Sequence, residues 1–211
     1  MARSGRPIGR DRIVDATLEL AEAVGWDGVR LHQVAEQLNL PLAELRAEFP
    51  DLDAVANAWF ARALDQTLRV PAVALPDRAP PERLEVVIMR WLEVLAAHRR
   101  VTREMLGAKL YPGHPQHWLP LIFDLSRLIH WFLDAARIRS TGRQRQLAEI
   151  GLTLIVLRTL WTWLRDESPG QVAARDRVRR QLQAADRWLT WRTSTADKKS
   201  PADAGGGRRT E

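Results

Sequence analysis

The chain has 211 residues, 45% of them hydrophobic and 27% charged, which excludes a wholly disordered polypeptide and allows a sizeable core. It has no cysteine, so disulfides, thiolate metal sites and cysteine nucleophiles are excluded. The net charge of +6 is carried almost entirely by arginine, whose planar donor fork suits phosphate, and it points to nucleic acid or an acidic membrane surface as the class of partner.

The first residues are polar and basic, with no apolar stretch behind them, so no signal peptide is expected. No apolar run reaches the roughly 18 residues of a membrane span. Strand signals are nearly absent, and apolar residues recur at helical spacing. A first helix is predicted from about Asp11 to Val24, with Ile13, Ala16, Leu20 and Val24 in one stripe and Gly25 as its stop. A second starts near Leu31, with Val34, Ala35 and Leu38 inward, and breaks at Asn39 and Pro41. A third, very short helix spans about Leu42–Glu48. Asp51 caps a fourth, which carries Leu52, Val55, Trp59, Leu64 and Leu68.

Residues 70–81 hold Pro71, Pro76, Pro80 and Pro81 and read as a linker. Beyond it, helices are predicted over about Pro81–His98, Thr102–Leu110, Gln116–Arg137, Arg143–Asp166 and Gly170–Thr190. The Ser168-Pro169-Gly170 turn forces the last two to pack antiparallel. Residues 193–211 are polar and low in complexity, the composition of a disordered tail. The predicted division is a head at 1–69, the linker, a body at 82–192 and the tail.

Three short helices with a tight turn at Leu38-Asn39-Leu40-Pro41 make a helix-turn-helix candidate, whose third helix would enter a major groove. Here a specific resemblance begins. Arg12-Ile-Val-Asp-Ala, Gly25-Trp26-Asp-Gly, Val34-Ala35-Glu36, Leu40, Leu45, Phe49-Pro50 and Asp53-Ala54-Val55, with the Gly5-Arg6-Pro7 arm, resemble the DNA-binding head of the TetR family over roughly residues 5–68. The resemblance implies an all-α, TetR-like fold: a helix-turn-helix head on a helical ligand-binding and dimerisation body. It implies a cytoplasmic homodimer, double-stranded operator DNA as partner and no enzymatic activity.

The core positions match that pattern, but the surface positions depart from it. Asn39 stands for the turn glycine, Pro41 and Leu42 for a serine and lysine, Glu44 for a threonine, Arg46 for a tyrosine and Glu48 for a histidine. Over residues 31–50, Arg46 stands against Glu36, Glu44 and Glu48, a net of −2. The arm compensates in part, with Arg3, Arg6, Arg10 and Arg12 against Asp11, a net of +3. The candidate DNA contacts are therefore Arg3, Arg6, Arg10, Gln33, Pro41, Leu42, Glu44 and Arg46.

In the body, Trp91, Met105, Leu106, Leu110, Trp118, Ile122, Leu125 and Ile129 lie on helices that would surround a central apolar pocket in this architecture. A filled core is the alternative reading of the same residues. The resemblance places a dimer seam on the last two helices, at Ile150, Leu154, Leu157, Trp161, Val178 and Leu182.

The segment Leu160-Trp-Thr-Trp-Leu-Arg-Asp-Glu-Ser-Pro169, with Asp186-Arg-Trp-Leu, is also similar to coenzyme Q biosynthesis accessory proteins. This second resemblance implies an isoprenoid-lipid-binding alternative working at a membrane surface, although the polar tail lacks the apolar face such a protein uses there. His114 and His117 sit three residues apart with no acidic or thiol partner nearby, so neither a metal site nor a cofactor is expected. No phosphate-binding glycine loop, nucleophile elbow or HExxH motif occurs.

Overall fold

A computed structural model describes residues 9–69, 78–109, 118–138 and 142–186, with backbone alone over 118–123. Among them it contains helices and no strand. The helix α1 runs over Arg10–Val24 and ends at Gly25, whose φ of +79° only glycine adopts without strain and whose N–H donates to the Ala21 carbonyl. A short turn at Trp26–Gly28 leads to α2, Leu31–Gln37. The chain then turns through Asn39, at φ +52°, into α3, Leu42–Glu48. Pro41 sits just before α3 as its cap rather than inside it.

The helix α4, Leu52–Leu68, starts where the Asp51 Oδ1 accepts from the Ala54 N–H at 2.7 Å. Helix α5 spans Pro80–Leu95. Pro80 and Pro81 thus form its first turn, where a missing N–H costs nothing, and do not belong to the linker. A short turn at Ala96–His98 carries the chain into α6, Arg99–Lys109, which begins three residues earlier than its apolar pattern suggests. Then follow α7, Trp118–Ala135, α8, Arg143–Trp163, and α9, Val172–Asp186.

Helices α1 to α3 close on Ile13, Val14, Leu18, Val34, Leu45 and Phe49, all buried. Val24, expected in that stripe, is exposed at the end of α1. In the body, α5 is the central element: α4, α7, α8 and α9 all pack on it. Its Leu84, Ile88, Leu92 and Leu95 are fully buried. Head and body share one continuous apolar core rather than two separate ones.

The α8–α9 corner is fixed by Asp166. Its Oδ1 accepts from the Ser168 N–H at 3.0 Å, and its Oδ2 accepts from the Ala174 N–H at 2.9 Å. Arg177 reaches back from α9 to Thr162 at 2.6 Å.

Candidate nucleic-acid interface and its supports

The helix-turn-helix is built by burying one side of a very short helix. On α3, Leu45 is fully buried, and Phe49 follows it into the head core. The Leu40 N–H donates to the Ala35 carbonyl at 2.8 Å, which closes the turn around left-handed Asn39. What remains outward is Pro41, Leu42, Ala43, Glu44, Arg46 and Ala47. Leu42 is 51% exposed, large for an apolar side chain on so small a surface.

The structure sorts the sequence-predicted contacts. Pro41, Leu42, Glu44 and Arg46 share the outward face of α3 and its entry. Gln33 is exposed on α2, but its Oε1 accepts from the Arg30 N–H at 3.2 Å and so caps that helix. Arg10 is turned onto the end of α3: its Nη1 donates to the Glu48 carbonyl at 2.7 Å, and its guanidinium lies 4.3 Å from the centroid of the Phe49 ring. Arg3 and Arg6 lie outside the described residues.

The residues expected around a body pocket are mostly interior. Trp91, Met105, Leu106 and Ile129 are buried, and Leu125 packs partly buried against the same core. Trp91 meets Phe132 edge-on at 5.8 Å, and its indole N–H has no partner among the described residues. Leu110 and the side chains of Trp118 and Ile122 lie outside the described residues, as do His114 and His117. A cavity of about 370 Å³ lies elsewhere, between the start of α5 and α9, lined by Arg78, Glu82, Glu85, Arg175, Arg179 and Leu182. Its walls are bridged by Arg179, which pairs with both Glu85 oxygens at 3.1 and 2.8 Å.

The helix α8 has two apolar faces. Leu152, Ile155, Val156 and Trp163 are buried within the chain, whereas Leu147, Ile150, Leu154, Leu157 and Trp161 are 43–61% exposed. Ile150, Leu154, Leu157 and Trp161 of the second set are the α8 residues read from the sequence as a seam, and Leu147 extends that face. The reading is corrected for α9: Val178 and Leu182 are fully buried in the chain's own core. They face α5 and α8, so they have no surface to offer a partner. Val172 is exposed at the start of α9.

No local pattern in the sequence marks the contacts that join head to body. Trp59 on α4 donates its indole N–H to Thr102 Oγ1 on α6 at 3.1 Å. The Trp26 N–H donates to Glu104 Oε2 at 2.6 Å. Lys109 pairs with Asp53, and Arg100 donates to the Ala21 carbonyl at 3.2 Å. His98 Nδ1 lies 3.2 Å from Glu22 Oε1.

An outward, short third helix, held on a three-helix head that is docked through α6 on a helical body, defines a helix-turn-helix protein of the two-part regulator kind. No protein-family model matches the chain. No curated relative matches it either. Among solved structures, the chain is similar to a TetR transcriptional regulator from Nitrosomonas europaea, with 36% identity and a TM-score of 0.74, over 85% of this chain and 98% of that one. A TetR transcriptional regulator from Rhodococcus sp. RHA1 shares the fold at 20% identity and a TM-score of 0.58, over 83% of this chain and 93% of that one. So does the TetR family regulator PfmR from Thermus thermophilus, at 19% identity and 0.53, over 83% and 96%. The chain belongs to the TetR family of transcriptional regulators. The resemblance of its C-terminal part to coenzyme Q accessory proteins draws no support from these structures. No described helix is long and apolar enough to cross a membrane.

Proposed function

We propose that this regulator binds operator DNA as a cytoplasmic homodimer and releases it in response to an apolar ligand held in the body. One observation carries the DNA reading: α3 buries only Leu45 and turns Leu42, Glu44 and Arg46 outward, in a chain of this family. Those three side chains have distinct base-edge chemistry. Arginine donates to guanine, glutamate accepts from the cytosine amino group, and an apolar side chain meets the thymine methyl. The arm arginines Arg3 and Arg6 supply the phosphate or minor-groove charge that α3 lacks.

The exposed α8 stripe supports the dimer, since a contiguous apolar face of this length is costly to leave in water. A two-fold seam there would set two heads at a fixed spacing. Ligand acts by binding the DNA-free arrangement more tightly than the DNA-bound one. The contacts of α6 with α1 and α4 give that difference a path from body to head.

The test is a salt titration of binding to duplex from the region upstream of the gene, with a shuffled duplex beside it. Selective binding that weakens as salt rises, and weakens further in Arg6→Ala and Arg46→Ala, is the expected result. Equal binding to both duplexes at low salt would overturn the reading.

A further inference from the structure

We infer that Arg10 is a positioning residue for the DNA-reading helix and not itself a phosphate contact. The inference rests on the proposed DNA-binding role. As the first residue of α1, Arg10 is a cation where the helix dipole disfavours one. Its side chain leaves that end and runs to the opposite end of α3, where a cation is favoured. There it donates to the carbonyl of Glu48, the last residue of α3 and one of the acceptors that a helix end leaves unpaired. It also lies 3.5 Å from the Glu48 carboxylate. The guanidinium covers the Phe49 ring at 4.3 Å, and that ring is fully buried.

Arg10 is itself held through its helix. From α4, Arg62 pairs with Asp11 at 3.2 Å and with Asp15, fixing the start of α1. A continuous chain therefore runs from α4 through Arg62, the first turn of α1 and Arg10 to the last turn of α3. With seven residues and one fully buried side chain, α3 has few other anchors at its last turn besides Phe49. Nη1 is tied to Glu48 and the guanidinium face lies on the Phe49 ring, so a phosphate that drew Arg10 away from α3 would give up these contacts together.

The test compares Arg10→Lys and Arg10→Ala, each in a Glu48→Gln background so that the paired carboxylate does not enter the salt dependence. Lysine keeps the charge but lacks the planar fork and ring-stacking surface. The expected result is that both variants bind the upstream duplex about ten-fold more weakly, as for loss of a charged hydrogen bond. The slope of log affinity against log salt stays at the Glu48→Gln value. Hydrogen exchange of the free protein should show faster exchange at Leu45–Phe49 in both.

A slope reduced by about 0.9 in Arg10→Ala, with Arg10→Lys retaining affinity, would make Arg10 a phosphate contact and overturn the inference. Unchanged exchange at Leu45–Phe49 would overturn it as well. The exchange measurement needs no DNA. A chain that binds no duplex would therefore refute the regulator reading, while the support of α3 by Arg10 would still be decided.

Discussion

Asp166 shows how much one buried carboxylate does in this body. Burial alone pushes its carboxyl up, but the Ser168 hydroxyl, the Ala174 and Ser168 amides and nearby Arg99 outweigh that, and the group sits below the ordinary aspartate range. Its folded value lies below its unfolded value of about 3.9, so the unfolded chain takes up the proton first as pH falls. The stabilisation is therefore complete above the unfolded value and is lost as pH drops through the folded one. Asp166→Asn should cost about 1–3 kcal/mol at pH 7, because one oxygen acceptor becomes a donor facing N–H groups. Urea denaturation at pH 7 and again near pH 3 checks this, and the gap between variant and parent should shrink at the lower pH. A gap independent of pH would mean that the corner is held by Ser168 and Arg177 instead.

Some residue-scale features were readable in advance because they depend on local chemistry. Left-handed Asn39, the Asp51 cap and the Gly25 stop follow from what those residue types do at a turn or helix end. The destination of Arg10 did not, since a basic residue before a helix looks the same in sequence whether it faces phosphate or folds back onto Glu48.

At the scale of the element, α8 is the instructive case. Leu147, Ile150, Leu154, Leu157 and Trp161 step at helical spacing, and the structure leaves that face exposed. Its buried face, with Leu152, Ile155, Val156 and Trp163, has no mark of its own in the sequence, because a helix apolar on both sides has no polar side to define the other. On α9 the opposite happened. Val178 and Leu182 have the same spacing as a seam, but periodicity names a face and not the neighbour that covers it. Their arginine-rich surroundings, Arg175, Arg177, Arg179 and Arg180, are what point outward or reach to adjacent helices.

A paired substitution separates the two helices. Leu154→Glu should leave the stability of the single chain within about 0.5 kcal/mol, as for an exposed site, while sedimentation shifts the mass toward the 24.0 kDa of one chain. Val178→Glu should instead unfold the protein, because it buries a carboxylate with no partner. If Leu154→Glu leaves the mass unchanged, the exposed α8 stripe is not where copies meet.

At the scale of the whole molecule, head and body share a core and a set of polar contacts through α6. Those contacts were invisible in the sequence for a simple reason: their partners are 43 to 79 residues apart, and nothing local marks Thr102, Glu104 or Arg100 as facing the head. The Trp59–Thr102 hydrogen bond is the most informative of them, since both groups are buried and the pair bridges α4 and α6. Thr102→Val keeps the shape but strands the Trp59 indole N–H, and should cost about 1–3 kcal/mol. Trp59→Phe strands the Thr102 hydroxyl and also loses ring volume. Removing both partners leaves no orphaned polar group, so the double variant should be less destabilised than the sum of the singles, with a coupling of about 0.5–3 kcal/mol. Denaturant unfolding followed by circular dichroism gives all four corners of this cycle. The same curves test the shared core, because a head and body that fold as one unit lose helix in a single transition in every variant. Additive costs would mean that Trp59 and Thr102 are neighbours without a functional bond. A second transition appearing only in the variants would locate the joint between head and body at this pair.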